Sequence, residues 1–162
     1  MRRFTRTTAA LALAMILSSV TAGVAADPAA AACPGKGTRF VTPITGQRVY
    51  LVGPGRSGAA VLLEIPDSYA YLSLWGTWDG IITRPRPLDC WNGSAVLHDP
   101  ILVKAPDGKV YIYDSNEAVE GYSNGFRWIV DWNTFANVYH FDPAKIVNVS
   151  YQYLGTPGAP WT

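Results

Sequence analysis

The sequence predicts a β-rich α+β protein: two degenerate ββα-type units of antiparallel hairpin and short helix, joined by a Pro-rich connector and closed by one disulfide. Three observations predict it. One residue pattern occurs twice along the chain, each occurrence contains short β-branched and aromatic runs, and a lone pair of cysteines follows an export-type N-terminus.

The chain opens with Arg2, Arg3 and Arg6, an apolar run from Ala9 to Val20, and then Ala22-Gly23-Val24-Ala25-Ala26, with no acidic residue before Asp27. A cationic head, a short apolar core and small residues at −3 and −1 make a secretory signal peptide. Residues 1–26 are therefore read as signal, cleaved after Ala26, and the mature protein as secreted and extracellular. The apolar core falls short of the roughly 20 residues of a membrane span, so no membrane insertion is expected. Loss of Arg2, Arg3 and Arg6 leaves ten basic residues against twelve acidic ones. Such a balance does not suit a nucleic acid or an anionic membrane as partner.

Residues 27–38 read as an irregular N-terminal arm. Cys33 and Cys90 are the only thiols. In an oxidising compartment such a pair is expected to form a disulfide. Closing a loop of this length contributes about 4 kcal/mol in the chain-entropy picture.

Unit 1 spans 39–83 and unit 2 spans 94–154. Arg48-Val49-Tyr50-Leu51-Val52 corresponds to Lys109-Val110-Tyr111-Ile112-Tyr113. Ile65-Pro66-Asp67 with Tyr71 corresponds to Ile129-Val130-Asp131 with Phe135. Trp78-Asp79 and Ile81-Ile82 correspond to Phe141-Asp142 and Ile146-Val147. Val49 and Val110 lie 61 residues apart, and Ile65 and Ile129 lie 64 apart, as two diverged copies of one unit would. The Val-Tyr runs are strands by composition. Val61–Ile65 and Phe126–Val130 are their antiparallel partners, across a Gly53–Gly58 turn in unit 1 and the longer stretch Asp114–Gly125 in unit 2. Asp67 and Asp131 sit where a carboxylate would cap a helix, predicting short helices over 68–75 and 132–139, with Tyr71, Leu72, Phe135 and Val138 toward the sheet. Val41 and Ile101–Val103 supply a further strand ahead of each hairpin. Arg84-Pro85-Arg86-Pro87 makes 84–93 an extended connector. Residues 155–162, rich in Gly and Pro, read as a flexible tail.

Residues 100–160, and 40–82 more loosely, resemble a repeat of exported actinobacterial proteins. The resemblance lies in Leu102-Val103-Lys104, Val110-Tyr111-Ile112-Tyr113, Arg127-Trp128-Ile129, Phe135, Phe141-Asp142, Ile146-Val147-Asn148-Val149-Ser150 and Thr156–Pro160. It implies a module without an agreed catalytic role that accompanies wall-associated or secreted proteins. The overall design, a short exported chain with an irregular N-terminal segment and one disulfide, also resembles the small adaptor subunits of secreted streptomycete (umbrella-type) toxin particles. That implies other secreted proteins as partners.

Motifs for chemistry are sparse. His98-Asp99 are neighbours on an extended segment, where adjacent side chains point to opposite faces, and no Gly-x-Ser-x-Gly elbow is present. His140 sits among aromatics without metal-ligand spacing, so no metal and no cofactor is expected. The oxygen-rich run Asp114-Ser115-Asn116-Glu117 with Glu120 leaves calcium open, although it lacks the EF-hand glycine and glutamate. Glu64, Asp67 and Asp79 would be a carboxylate set for glycoside hydrolysis, but Asp67 and Asp79 recur as Asp131 and Asp142, which points to structural roles. The six Trp and nine Tyr are too many for one small core. Trp75, Trp78, Trp91, Trp132 and Tyr122 form the candidate aromatic binding surface. The expected function is therefore non-catalytic: a secreted protein-binding adaptor of an extracellular assembly. A cell-wall glycan-binding module is the alternative, and a small hydrolase or enzyme inhibitor the second.

Overall fold

Val49-Tyr50-Leu51-Val52 cannot expose four large side chains in a row, so it lies between two neighbouring strands. In the computed structural model, which describes residues 33–84, 90–91, 94–115 and 125–162, β1 (Arg39–Val41), β2 (Val49–Pro54) and β3 (Ala60–Ile65) form an antiparallel meander. Val49 faces both Val41 and Ile65. The helix α1 (Ser68–Trp75) follows, its first turn capped by Asp67 Oδ1, which accepts the Ala70 N–H at 2.8 Å. It stops at Gly76, whose φ of +69° suits a residue without a Cβ. The chain then returns as β4 (Ile81–Thr83), parallel beside β1.

The second unit takes the same path. β6 (Ile101–Lys104), β7 (Val110–Tyr113) and β8 (Phe126–Trp128) form a meander, and β9 (Ile146–Asn148) returns parallel beside β6. The strand orders β4-β1-β2-β3 and β9-β6-β7-β8 are thus equivalent. The register agrees with the sequence pairing: Ile81 faces Arg39 as Ile146 faces Leu102. The Arg84 N–H donates to Val41 O, and the Val149 N–H to Lys104 O, both at 3.0 Å. Asp131 repeats the Asp67 cap, accepting the Thr134 N–H at 2.6 Å. Here the expected helix differs. Over Thr134–Val138 the turn widens, and the Tyr139 N–H reaches Thr134 O. One extra residue is absorbed in that turn.

Two segments depart from their expected places. Ser94–Val96, read as the start of unit 2, is β5 and adds parallel to β3, on the first sheet. The tail is not loose. Trp161 bridges Ile129 in parallel, its N–H donates to Trp128 O at 2.7 Å, and its ring is only 1% exposed. Leu97 does the same in unit 1, its N–H donating to Glu64 O at 2.9 Å. Apolar burial outweighs the Gly/Pro composition of 155–160, because a core indole contributes several kcal/mol. Arg127 reinforces the dock with hydrogen bonds to Ala159 O and Pro160 O on the tail and to Pro54 O and Gly55 O on unit 1.

The principal core draws on both sheets: Leu51 and Leu63 from the first, Leu102 and Ile112 from the second, with Tyr71 and Phe135 between. The outer face of the first sheet holds Phe40, Tyr50, Val52 and Leu62, with Trp91 packed against them. The Cys33–Cys90 disulfide is formed, next to that Trp91. The irregular segment before β1 is tied down by the Gly37 N–H on Val52 O. Gly37 passes so near Val138 that a Cβ would collide with its carbonyl. The outer face of the second sheet is covered by Leu154. Residues 1–32, 85–89, 92–93 and 116–124, on which the expected signal peptide and most of the expected connector fall, lie outside the described residues. Among the described residues no helix is long and apolar enough to cross a membrane.

Candidate functional site

The turn between β6 and β7 is built by Pro106-Asp107-Gly108. Asp107 Oδ1 accepts the Lys109 N–H at 3.0 Å, and the Ala105 N–H donates to Lys109 O at 2.9 Å. This fixes the origin of the Lys109 side chain. Its ammonium lies 5.4 Å from the centre of the Trp128 ring and 3.4 Å from Asp107 Oδ2. Trp128 is brought there by β8, where it faces Tyr111 across the ladder. Two residues past Ile129, Asp131 starts the next helical turn and sets Trp132 at its outer end. Trp132 is 60% exposed, and one face stacks on the buried Phe135 at 4.9 Å and 16°.

Between these parts runs a cleft of about 360 Å³. It is lined by Trp128 and Trp132, by Val110 and the buried Ile129 and Phe135, and by the charged Asp107, Lys109 and Asp131. Unit 1 shows what the same fold does without it. At the position of Trp128 stands Glu64, and Arg48, the counterpart of Lys109, pairs with that carboxylate at 3.1 Å. At the position of Trp132 stands Ser68. The cap, the strand pairing and the buried aromatic below (Tyr71 or Phe135) are common to both units. The aspartate and the buried ring are thus common to both units and neither tryptophan is, although Trp128 also packs against the outer-face cluster of its own sheet.

The expected aromatic surface is only partly gathered here. Trp132 lies in the cleft. Trp75 does not belong to any surface: it is 4% exposed, and its indole N–H donates to Tyr139 O at 2.8 Å inside the shared core. Trp78 is 49% exposed and lies flat on Tyr71 at 4.4 Å. Trp91 is half-buried over Phe40. Tyr122 lies outside the described residues. Trp128, which the expected surface omits, is the second wall of the cleft. Its signal was present in the alignment of the copies, where it stands opposite a charged Glu64.

The remaining candidates have structural employment. Asp67 caps α1 and Glu64 holds Arg48, so two of the three carboxylates are engaged. The His98 backbone braces the second hairpin: its N–H donates to Asp114 Oδ1, and its carbonyl accepts from Ser115. Asp114 is buried in that contact, and the rest of the oxygen-rich loop lies outside the described residues. His140 is exposed with φ +53°. Among the described residues no cluster of three His, Cys, Asp or Glu could hold a metal ion. Compared with protein families, with curated proteins and with solved structures, the chain matches none.

Proposed function

We propose that the protein is a secreted, non-catalytic interaction module, an adaptor subunit that binds another exported protein within an extracellular assembly. One observation carries this reading: unit 2 has Trp128 and Trp132 where unit 1 has Glu64 and Ser68, which gives one copy of a duplicated fold an aromatic cleft that the other copy lacks. Exposed Trp beside a charged rim is the composition of protein-interface anchors. The disulfide is compatible with the oxidising compartment that the N-terminal residues imply. Structural duties for Glu64 and Asp67 support a binding role over hydrolysis. The resemblance to adaptor subunits of secreted toxin particles suggests an antibacterial assembly of that kind.

The test is affinity capture of the tagged protein from its own culture supernatant, with mass spectrometry of the eluate. Stoichiometric exported proteins are expected with the native chain and with Trp78→Ala, and are expected to be lost with Trp128→Ala and Trp132→Ala. Co-sedimentation with cell-wall preparations that depends on Trp132, with no protein partner, would replace the adaptor by the glycan-binding module.

A further inference from the structure

Resting on the adaptor reading, we propose that the Trp128–Trp132 cleft takes an extended, proline-containing segment of the partner protein with a basic residue beside the proline. The donors that line the cleft narrow the chemistry. Four of its backbone N–H groups are already used, Gly108 on Ala105 O, Lys109 on Asp107 Oδ1, Ile129 on Val110 O and Val130 on Trp161 O, and the edge beside β8 is taken by Trp161. A partner strand added to the sheet would need such groups, so β-augmentation at this place is disfavoured.

Two kinds of polar group remain. The indole N–H groups of Trp128 and Trp132 have no partner among the described residues, and Asp131 keeps its second carboxylate oxygen. Polyproline segments suit that supply. They offer carbonyl oxygens, lack an N–H at each proline, and are extended before they bind. Their rings pack against indole faces, and here Val110, Ile129 and Phe135 add apolar lining. The rim supplies the basic preference. Asp107 and Asp131 outnumber Lys109, and Lys109 is already held between Asp107 and the Trp128 ring. The outward face of Trp132, opposite the one on Phe135, is open to a guanidinium.

The experiment titrates a synthetic oligoproline peptide, capped by an arginine at each end, into the disulfide-intact protein by calorimetry. The control peptide keeps both arginines and replaces the prolines by alternating glycine and serine, equal in length and charge. Saturable binding of the proline peptide is expected, at least tenfold tighter than the control. Trp128→Ala and Trp132→Ala are each expected to weaken it at least tenfold, with unchanged circular dichroism, and Trp78→Ala to leave it unchanged. Asp131→Asn, which keeps the helix cap, is expected to weaken it several-fold at low salt and less at high salt. Absence of saturation up to about 1 mM peptide, or Trp132-dependent binding of chitotriose in its place, would overturn the inference. A Trp-dependent protein partner that the proline peptide does not displace would overturn the inference and leave the adaptor reading standing. Absence of any Trp-dependent partner would sink that reading itself.

Discussion

At the scale of single residues, the two copies act as controls for one another. Asp67 and Asp131 each take one free N–H of a first helical turn, at 2.8 and 2.6 Å. Replacing either by alanine is expected to cost about 1 kcal/mol, and replacing it by asparagine almost nothing, because asparagine caps equally well. Urea denaturation of the four variants checks this, and an equal loss for alanine and asparagine would refute it. Tyr139 ties the tail to the core, its hydroxyl donating to Thr162 O at 2.9 Å. Burial raises its pKa well above the ordinary phenol range, with Arg127 opposing. The folded state therefore holds this proton more tightly than the unfolded chain, whose phenol titrates near about 10. The stability that this contributes is complete below that pH and is lost as pH rises toward the folded value. Tyr139→Phe is expected to flatten the decline of stability above about pH 10. Tyr71 and Tyr111, also raised by burial, leave a residual slope. Stability measured from pH 8 to 11 reads the difference.

At the scale of elements, the tail is the largest departure from what its composition suggests. Gly and Pro punctuate 155–160, and local propensity carries no information about a tryptophan placed after them. Trp161 is read only when the second copy is aligned past its last strand, where it takes the place of Leu97. Trp161→Ala is expected to destabilise the protein by about 3–5 kcal/mol, as for other large-to-small changes in a closed core. Deletion of residues 156–162 is expected to cost at least as much, because Arg127 would lose two of its backbone acceptors. Guanidinium midpoints of both variants test this, and a deletion milder than the point substitution would show that the tail is not docked in solution. The hairpins and both caps were legible because β-branched runs and cap residues act within a few positions of themselves. The parallel returns of β4 and β9, and the crossing of β5 to the first sheet, were not. They pair residues far apart in the chain, and no periodicity marks such a pairing. The candidate site was legible by half for a related reason. Abundance shows that some tryptophans must be exposed, but not that Trp75, at the end of one helix, is in the core while Trp132, at the start of the other, is outside it.

At the scale of the whole molecule, the two units are separate in sequence and joined in energy. Their sheets share one principal core, in which Leu51 and Leu63 pack with Leu102, Ile112 and Ile129. Trp75 of the first unit is hydrogen-bonded to Tyr139 of the second, and Arg127 of the second clamps the carbonyls of Pro54 and Gly55 in the first. Neither unit can bury its inner face alone, since each would expose the apolar area that now lies against the other. Units that were independent would melt separately, and the unit with less burial would melt first. A shared core instead predicts one cooperative transition, with the calorimetric enthalpy equal to the van't Hoff enthalpy. The disulfide joins Cys33 to Cys90, the neighbour of Trp91 on the outer face of the first sheet, and neither cysteine belongs to that core. Cys33→Ser with Cys90→Ser is therefore expected to lower stability by about 2–4 kcal/mol while the transition stays single. Scanning calorimetry of the native chain and of the double variant decides the matter. Two resolved transitions in the native chain would mean that the units fold independently. A split that arises only in the double variant would mean that loss of the cross-link weakens unit 1 below unit 2 and that the shared core does not hold the two together.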